Sequence, residues 1–183
     1  ALTFASGLLL LARAAAADVG SADKLFAEGK ALMSAGRFAE ACAKYEASYE
    51  ADAALGSLLN LADCLERDGR LASAYGRWGD AITFATRKND NRASYAKDRR
   101  EELKPKLSFV TLQIVGTLPD ELVIYKGEAK FTSAGVSGTA LPTDPGTTVI
   151  QVVRGTDVLW ETKIELQEAQ QQTVTVPLDE IVK

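Results

Sequence analysis

The chain has 183 residues, of which 46% are apolar and 25% charged, and its formal net charge is −4 at pH 7. It contains no histidine and two cysteines, which removes the commonest general base and metal ligand and leaves too few thiolates for a zinc site. Residues 22–106 carry 15 basic and 14 acidic side chains, and residues 107–183 carry 5 and 10, so nucleic acid is not an expected partner. The sequence predicts a non-enzymatic protein without metal or cofactor, and a catalyst that uses carboxylates alone is the remaining alternative.

The first segment is apolar and ends in small residues. Residues 2–12 are almost wholly apolar, and Arg13 and an alanine run over residues 14–17 follow. This pattern is typical of a secretory signal peptide, with cleavage after Ala17 or Ala14, and the run is too short to span a bilayer. Residues 1–17 are therefore predicted to be a signal-peptide remnant of a periplasmic or cell-surface protein that is not integral to the membrane. A buried N-terminal helix or a membrane anchor is the alternative.

Helical periodicity dominates the next part of the chain, residues 22–104. Five helices are predicted, over residues 22–34, 38–51, 54–68, 71–87 and 92–103. The last is polar, as expected of the capping helix of a short solenoid.

One stretch of this region occurs twice. The segment from Gly36 to Tyr45 returns 33 residues later as the segment from Gly69 to Trp78, each with a glycine, an arginine and then a helix that carries alanine and a large aromatic at matching steps. A period of this length indicates stacked helical hairpins.

These residues resemble tetratricopeptide repeats. The small-residue positions of that family fall on Gly29, Ala41 and Ser48 with Tyr45 as the aromatic, and then on Ala62, Ala74 and Ala81 with Trp78. Leu25 and Ala53 depart from the family, which prefers tryptophan and proline there.

The resemblance implies a concave groove lined by the first helix of each hairpin and by the fifth helix. A protein or peptide partner is then expected to contact Phe26, Lys30, Met33, Leu59, Asn60, Asp63, Glu66, Arg67 and Lys97. Only Asn60 matches the family's peptide-carboxylate clamp, whereas Phe26 and Asp90 occupy positions where the clamp needs other residues, so terminal-carboxylate capture is not expected. The alternative for Asn60 is a hydrogen bond to a neighbouring backbone group.

The two cysteines lie on adjacent predicted helices. Cys42 is early in the second helix and Cys64 late in the third. An exported protein favours a disulfide between them, and two buried thiols are the alternative.

After Pro105 the apolar period changes from 3.6 to 2. Strands are predicted over residues 107–115, 121–126, 147–153 and 158–166, with a last one around Val174 and Val176, and Trp160 is expected in the core. The fold class predicted is therefore all-α followed by all-β, with about five helices in repeat hairpins and a small antiparallel β-sandwich, and the domains are residues 22–104 and 107–179.

The second domain is similar to the PEGA-type β domain, a short surface-associated sandwich. The similarity rests on residues 141–146, on a Trp-bearing strand and on the final segment over residues 173–178, with Asp144-Pro145-Gly146-Thr147 in place of the Pro-Glu-Gly-Ala motif. A generic immunoglobulin-like sandwich is the alternative.

Together the two resemblances imply a scaffold protein of the bacterial cell envelope. Its helical repeats are expected to bind a protein partner while its sandwich attaches to envelope components. The alternative is a carbohydrate- or peptidoglycan-binding module that uses aromatic residues of the sandwich.

Overall fold

The computed structural model describes the backbone of residues 5–182 and the side chains of residues 20–182. The chain divides into two compact units, Ala1–Lys104 and Pro105–Lys183. The first is helical and the second is built from strands, which confirms the predicted fold class. The side chains of the predicted signal-peptide remnant, residues 1–17, lie outside the described part of the chain.

In the part of the helical unit that the structure describes there are five helices, and each packs against the next. They are α1 (Ala5–Ser34), α2 (Phe38–Ala51), α3 (Leu55–Arg67), α4 (Leu71–Arg87) and α5 (Arg92–Leu103).

The two hairpins turn in the same way. Gly36 and Gly69 both have positive φ angles, 72° and 79°, which glycine adopts without a steric penalty. The backbone N–H of Arg37 donates to the Leu32 carbonyl at 3.0 Å, and the N–H of Arg70 donates to the Leu65 carbonyl at 2.9 Å. The sequence repeat is therefore a repeat of backbone hydrogen bonds as well.

The large aromatics of the repeat are both buried inside the helix stack. Tyr45 is 1% exposed and Trp78 is fully buried. Gly29 on α1 makes room for the first ring, because a Cβ at this glycine would lie 2.9 Å from the Tyr45 ring carbons. Trp78 is covered by Tyr95 of α5, edge to face, with the ring centroids 5.7 Å apart. The layer between the helices therefore depends on a close backbone approach beside Tyr45 and on a ring contact beside Trp78.

We expect Gly29→Ala to destabilise the protein by about 1–3 kcal/mol, because the new methyl overlaps the buried Tyr45 ring. The matched control is Gly76→Ala on α4, where a Cβ meets nothing within 4 Å and alanine should stabilise the helix by about 0.5–1 kcal/mol. Urea unfolding monitored by circular dichroism gives both values. Equal effects of the two substitutions would contradict the packing described for Gly29.

A disulfide joins the first hairpin to the second. Cys42 of α2 and Cys64 of α3 are bonded, with their Cα atoms 5.5 Å apart, and both residues are buried. The bridge spans 22 residues of sequence and includes the α2–α3 connection. It therefore fixes the two hairpins to each other covalently.

Removal of this bridge by Cys42→Ala/Cys64→Ala should cost about 3 kcal/mol, since the unfolded chain regains the entropy of the open loop. Thermal unfolding with and without reductant measures the effect. The wild-type midpoint should fall on reduction, while the midpoint of the double variant should not respond. If the unfolding midpoint of the wild type does not change on complete reduction, the bridge contributes nothing to stability.

Over residues 105–182 the second unit contains seven strands in two sheets. They are β1 (Ser108–Val115), β2 (Leu122–Lys126), β3 (Ala129–Phe131), β4 (Ala140–Thr143), β5 (Gly146–Arg154), β6 (Asp157–Leu166) and β7 (Gln171–Pro177), and a short helix α6 (Leu178–Ile181) follows. One sheet has the order β4-β1-β7 and the other β3-β2-β5-β6.

The two sheets share one apolar core. Val110, Leu112 and Ile114 of β1 lie in a single cluster with inward-facing residues of the other sheet, such as Ile124 and Ile150. All pairings are antiparallel except that of β1 with β7, which is parallel and makes the three-stranded sheet mixed. The short strands β3 and β4 were not predicted, because most of their residues are exposed and show no apolar alternation.

Candidate functional site

The residues predicted to line the groove lie on three helices, as expected from the sequence. Phe26, Lys30 and Met33 are on α1, and Lys97 is on α5. The remaining predicted residues, on α3, are Leu59, Asn60, Asp63, Glu66 and Arg67. Lys30, Arg67 and Lys97 are exposed, and the others are half-buried.

Many of these side chains are already engaged within the helical unit. The Asn60 side chain donates to the Gly56 carbonyl at 2.8 Å, which is the backbone contact considered as its alternative role. Arg67 pairs with Asp63 at 3.1 Å, and Glu66 pairs with Arg99 of α5. These bonds stabilise α3 and tie it to α5, so they leave the predicted groove with few polar groups available to a ligand.

One of the apolar members of the set, Phe26, also has a packing partner. Its ring lies 5.5 Å from the Tyr45 ring, centroid to centroid, and it lines a small cavity of about 180 Å³ that includes Ser48 and Ser57. The Ser48 hydroxyl donates to the Ala22 carbonyl at 3.0 Å and is 2.9 Å from the Ser57 hydroxyl. Burial, with a smaller effect of the Asp63 carboxylate, raises the pKa of Tyr45, so this ring stays neutral. This end of the groove therefore serves to join α1, α2 and α3.

Asp90 has a structural role at the start of α5. Its carboxylate accepts hydrogen bonds from the Arg92 backbone N–H at 3.0 Å and from the Arg92 guanidinium at 2.9 and 2.6 Å. These bonds lower the pKa of Asp90 from 3.8 to about 2, with the side-chain hydrogen bond to Arg92 as the largest cause. The charged form is therefore favoured in the folded state.

The stability that Asp90 contributes should be fully present above about pH 4 and should be lost as the pH falls towards 2, because its folded pKa lies below its unfolded pKa. Asp90→Asn removes this charge. We expect the variant to have a lower unfolding midpoint than wild type near pH 6, with the difference shrinking as the pH approaches 2. A difference that is constant from pH 6 to pH 2 would exclude the ionised carboxylate as its source.

A larger concavity lies between α2 and α4, and we call it the α2–α4 pocket. It has a volume of about 490 Å³, within the usual range for binding pockets. Tyr49 from α2 and Phe84 from α4 form half-buried aromatic walls. The other lining residues are Arg77, Asp80, Thr83, Arg87 and Lys88.

The basic residues of the α2–α4 pocket differ in their partners. Arg77 bridges the two helices, since its guanidinium lies 2.6 Å from Glu46 of α2 and 3.4 Å from Asp80 of α4. Arg87 and Lys88 are exposed at the end of α4, and neither has an ion-pair partner among the residues that the structure describes. They lie at the C-terminal end of α4, where the partial negative charge of the helix dipole stabilises positively charged side chains. They also leave uncompensated positive charge beside an aromatic wall, where an acidic ligand with an apolar part would fit.

Sequence reasoning missed this pocket. The repeat positions on α4, among them Trp78 and Ala81, indicate its buried side, and Phe84 is not one of them. An aromatic residue outside the buried stripe, followed at once by Arg87 and Lys88, is the signal that could have indicated it.

The aromatic residues of the sandwich do not form an exposed shelf. Trp160 and Phe131 are partly buried against the shared core. Tyr125 and Phe109 are half-buried on strands of different sheets. A flat set of exposed rings for sugar stacking is therefore not supplied by these four residues.

Among the described residues there is no group of acidic or cysteine side chains that could hold a metal ion, and no helix long and apolar enough to cross a membrane. A comparison with protein-family models found no match for this chain. A comparison with curated proteins found none either.

Proposed function

We propose that this protein is a non-enzymatic scaffold of the bacterial cell envelope whose helical unit binds a protein partner. The observation that carries the proposal is the α2–α4 pocket, in which aromatic walls lie beside the unpaired charges of Arg87 and Lys88. The partner segment that fits is acidic and carries an apolar side chain.

The repeat supports the tetratricopeptide-like character of the helical unit. The glycine turns of the two hairpins have matching φ angles and hydrogen bonds, and Tyr45 and Trp78 are buried at equivalent positions. Stacked hairpins of this kind present fixed surfaces to partners and need no catalytic groups.

The disulfide supports the proposed location. A bridge between Cys42 and Cys64 persists in oxidising compartments such as the periplasm and the cell surface, and rarely in the cytosol. In this proposal the second unit is a PEGA-type sandwich that attaches the scaffold to envelope components.

A photocrosslinking amino acid in the full chain tests the binding face. We expect Thr83→p-benzoylphenylalanine, in the α2–α4 pocket, to capture a discrete partner from the envelope fraction of source cells. Arg87→Glu/Lys88→Glu in the same chain should reduce that product at least about tenfold, because it places like charges opposite an acidic segment.

The matched control is Lys30→Glu/Lys97→Glu, which makes the same charge change on the predicted groove and should leave the product unchanged. Loss of the product only with this control would move the partner to the groove. Crosslinks that arise only from a probe on the sandwich, at Thr175, would contradict the assignment of binding to the helical unit.

A further inference from the structure

The strand β6 is a long edge of the four-stranded sheet. It spans ten residues, Asp157–Leu166, and within the described residues it pairs only with β5. The opposite edge of this sheet, β3, has only three residues. Val158 and Leu159 at the start of β6 are 51% and 37% exposed, although both are large apolar residues. An extended edge of this kind offers unpaired backbone groups to another strand.

Two of the four charged residues of β6 flank Thr162, and the other two, Asp157 and Glu165, have no charged counterpart across it. Glu161 and Lys163 are the flanking pair and share the solvent face of the strand, and the Lys163 side chain is 66% exposed.

Within one chain the Glu161 carboxylate accepts a hydrogen bond from Gln151 and lies 3.7 Å from the Lys163 ammonium, so pairing with a second copy would add to or replace a long ion pair. If β6 pairs antiparallel with β6 of a second copy, with Thr162 opposite its own counterpart, Glu161 lies opposite Lys163 of the second copy. Lys163 lies opposite Glu161 of the second copy in turn. Opposite charges placed directly across two strands stabilise the pair.

Other registers are less favourable. A two-residue shift in one direction places Glu161 opposite Glu161 of the second copy, and a shift in the other direction places Lys163 opposite Lys163. Both arrangements repel. A one-residue shift would set core-facing side chains opposite solvent-facing ones. A register centred on Ile164 would also be complementary in charge, with Lys163 opposite Glu165, but it would pair only residues 162–166 of β6, whereas the register centred on Thr162 pairs residues 158–166. The sequence of β6 therefore favours one register, the one centred on Thr162.

From this edge and its charge pattern we propose that two copies of the chain associate through β6, which pairs antiparallel with itself about a two-fold axis at Thr162. Such an interface is self-complementary and joins the two four-stranded sheets into one continuous sheet. It would also place the exposed Val158 and Leu159 next to the last residues of the partner strand. The other long edge, β7, carries no charged residue and so has no comparable means of selecting a register.

Sedimentation velocity of the full chain tests the proposal. The wild type should form a dimer, and Lys163→Glu or Glu161→Lys alone should weaken it at least about tenfold, because each places like charges opposite each other twice. The double variant Glu161→Lys/Lys163→Glu exchanges the charges and should restore the dimer. Lys130→Glu on β3 and Thr175→Glu on β7 are the controls and should leave it intact, and circular dichroism checks that every variant is folded.

An introduced cysteine measures the register independently. Residues directly opposite each other in an antiparallel pair have Cα atoms about 4.5–5.5 Å apart, which suits a disulfide. Thr162→Cys should therefore crosslink two chains on mild oxidation, and Thr175→Cys should not. A wild-type chain that stays monomeric to millimolar concentration, a double variant that fails to restore the dimer, or crosslinking through residue 175 in place of 162 would overturn the proposal.

Discussion

The close approach of a glycine backbone to a tyrosine ring determines how the helical unit is built. Gly29 has no side chain at the point where α1 meets Tyr45 of α2, so the two helices pack with the ring between them. Any larger residue would separate the helices or displace the ring. Trp78, 33 residues after Tyr45, is fully buried as well, and so are the small residues Ala62 and Ala74 of the second hairpin. The disulfide between α2 and α3 then holds the two layers in one arrangement.

The size of the residue at the position of Gly29 also explains why the stack ends at α5. Tyr95 of α5 lies two repeat lengths, of 33 residues each, after Gly29. It is a large residue at the position that Gly29 and Ala62, both small, occupy in α1 and α3. Its ring covers Trp78 and is itself 50% exposed. Arg100 of the same helix lies over the Tyr75 ring, 4.0 Å from its centroid, and Gly79 provides the space beside it. A polar helix can therefore close the stack because aromatic and cationic contacts replace a further apolar layer.

The sequence predicted most of the fold because its strongest signals are local. Helix ends follow from Gly36, Gly69 and the apolar period, and the observed helices begin and end within about one residue of the predictions except at the start of α1. The parallel pairing of β1 with β7 could not be predicted, since nothing in either strand specifies a partner about 60 residues away. The strands β3 and β4 have only three and four residues, too few to show apolar alternation, although Phe131 and Leu141 pack partly against the core. Tertiary contacts such as the Lys126 bond to Thr143 help to hold them in place.

The sequence carries less information about the candidate site than about the fold. Apolar periodicity indicates which side of a helix faces the core. It does not indicate where a ligand binds, so the groove was predicted from the resemblance to tetratricopeptide repeats. The polar residues assigned to it, among them Asn60 and Glu66, form bonds within the unit. The α2–α4 pocket lies on surfaces that the buried stripes do not mark, and it requires two helices to be brought side by side before Tyr49 and Phe84 form one wall.

The two proposed contacts select their partners by different physical means. The α2–α4 pocket is formed by helices that a disulfide and a repeated core layer already hold in place, so little conformational entropy is lost when a ligand enters. Its selectivity comes from the charges of Arg87 and Lys88 beside an apolar wall. The β6 edge instead offers backbone groups that any strand could use, and side-chain charge must provide the selectivity. Glu161 and Lys163 supply it because their order along the strand is complementary to itself when the strand is reversed, which distinguishes a second copy of this chain from an unrelated strand.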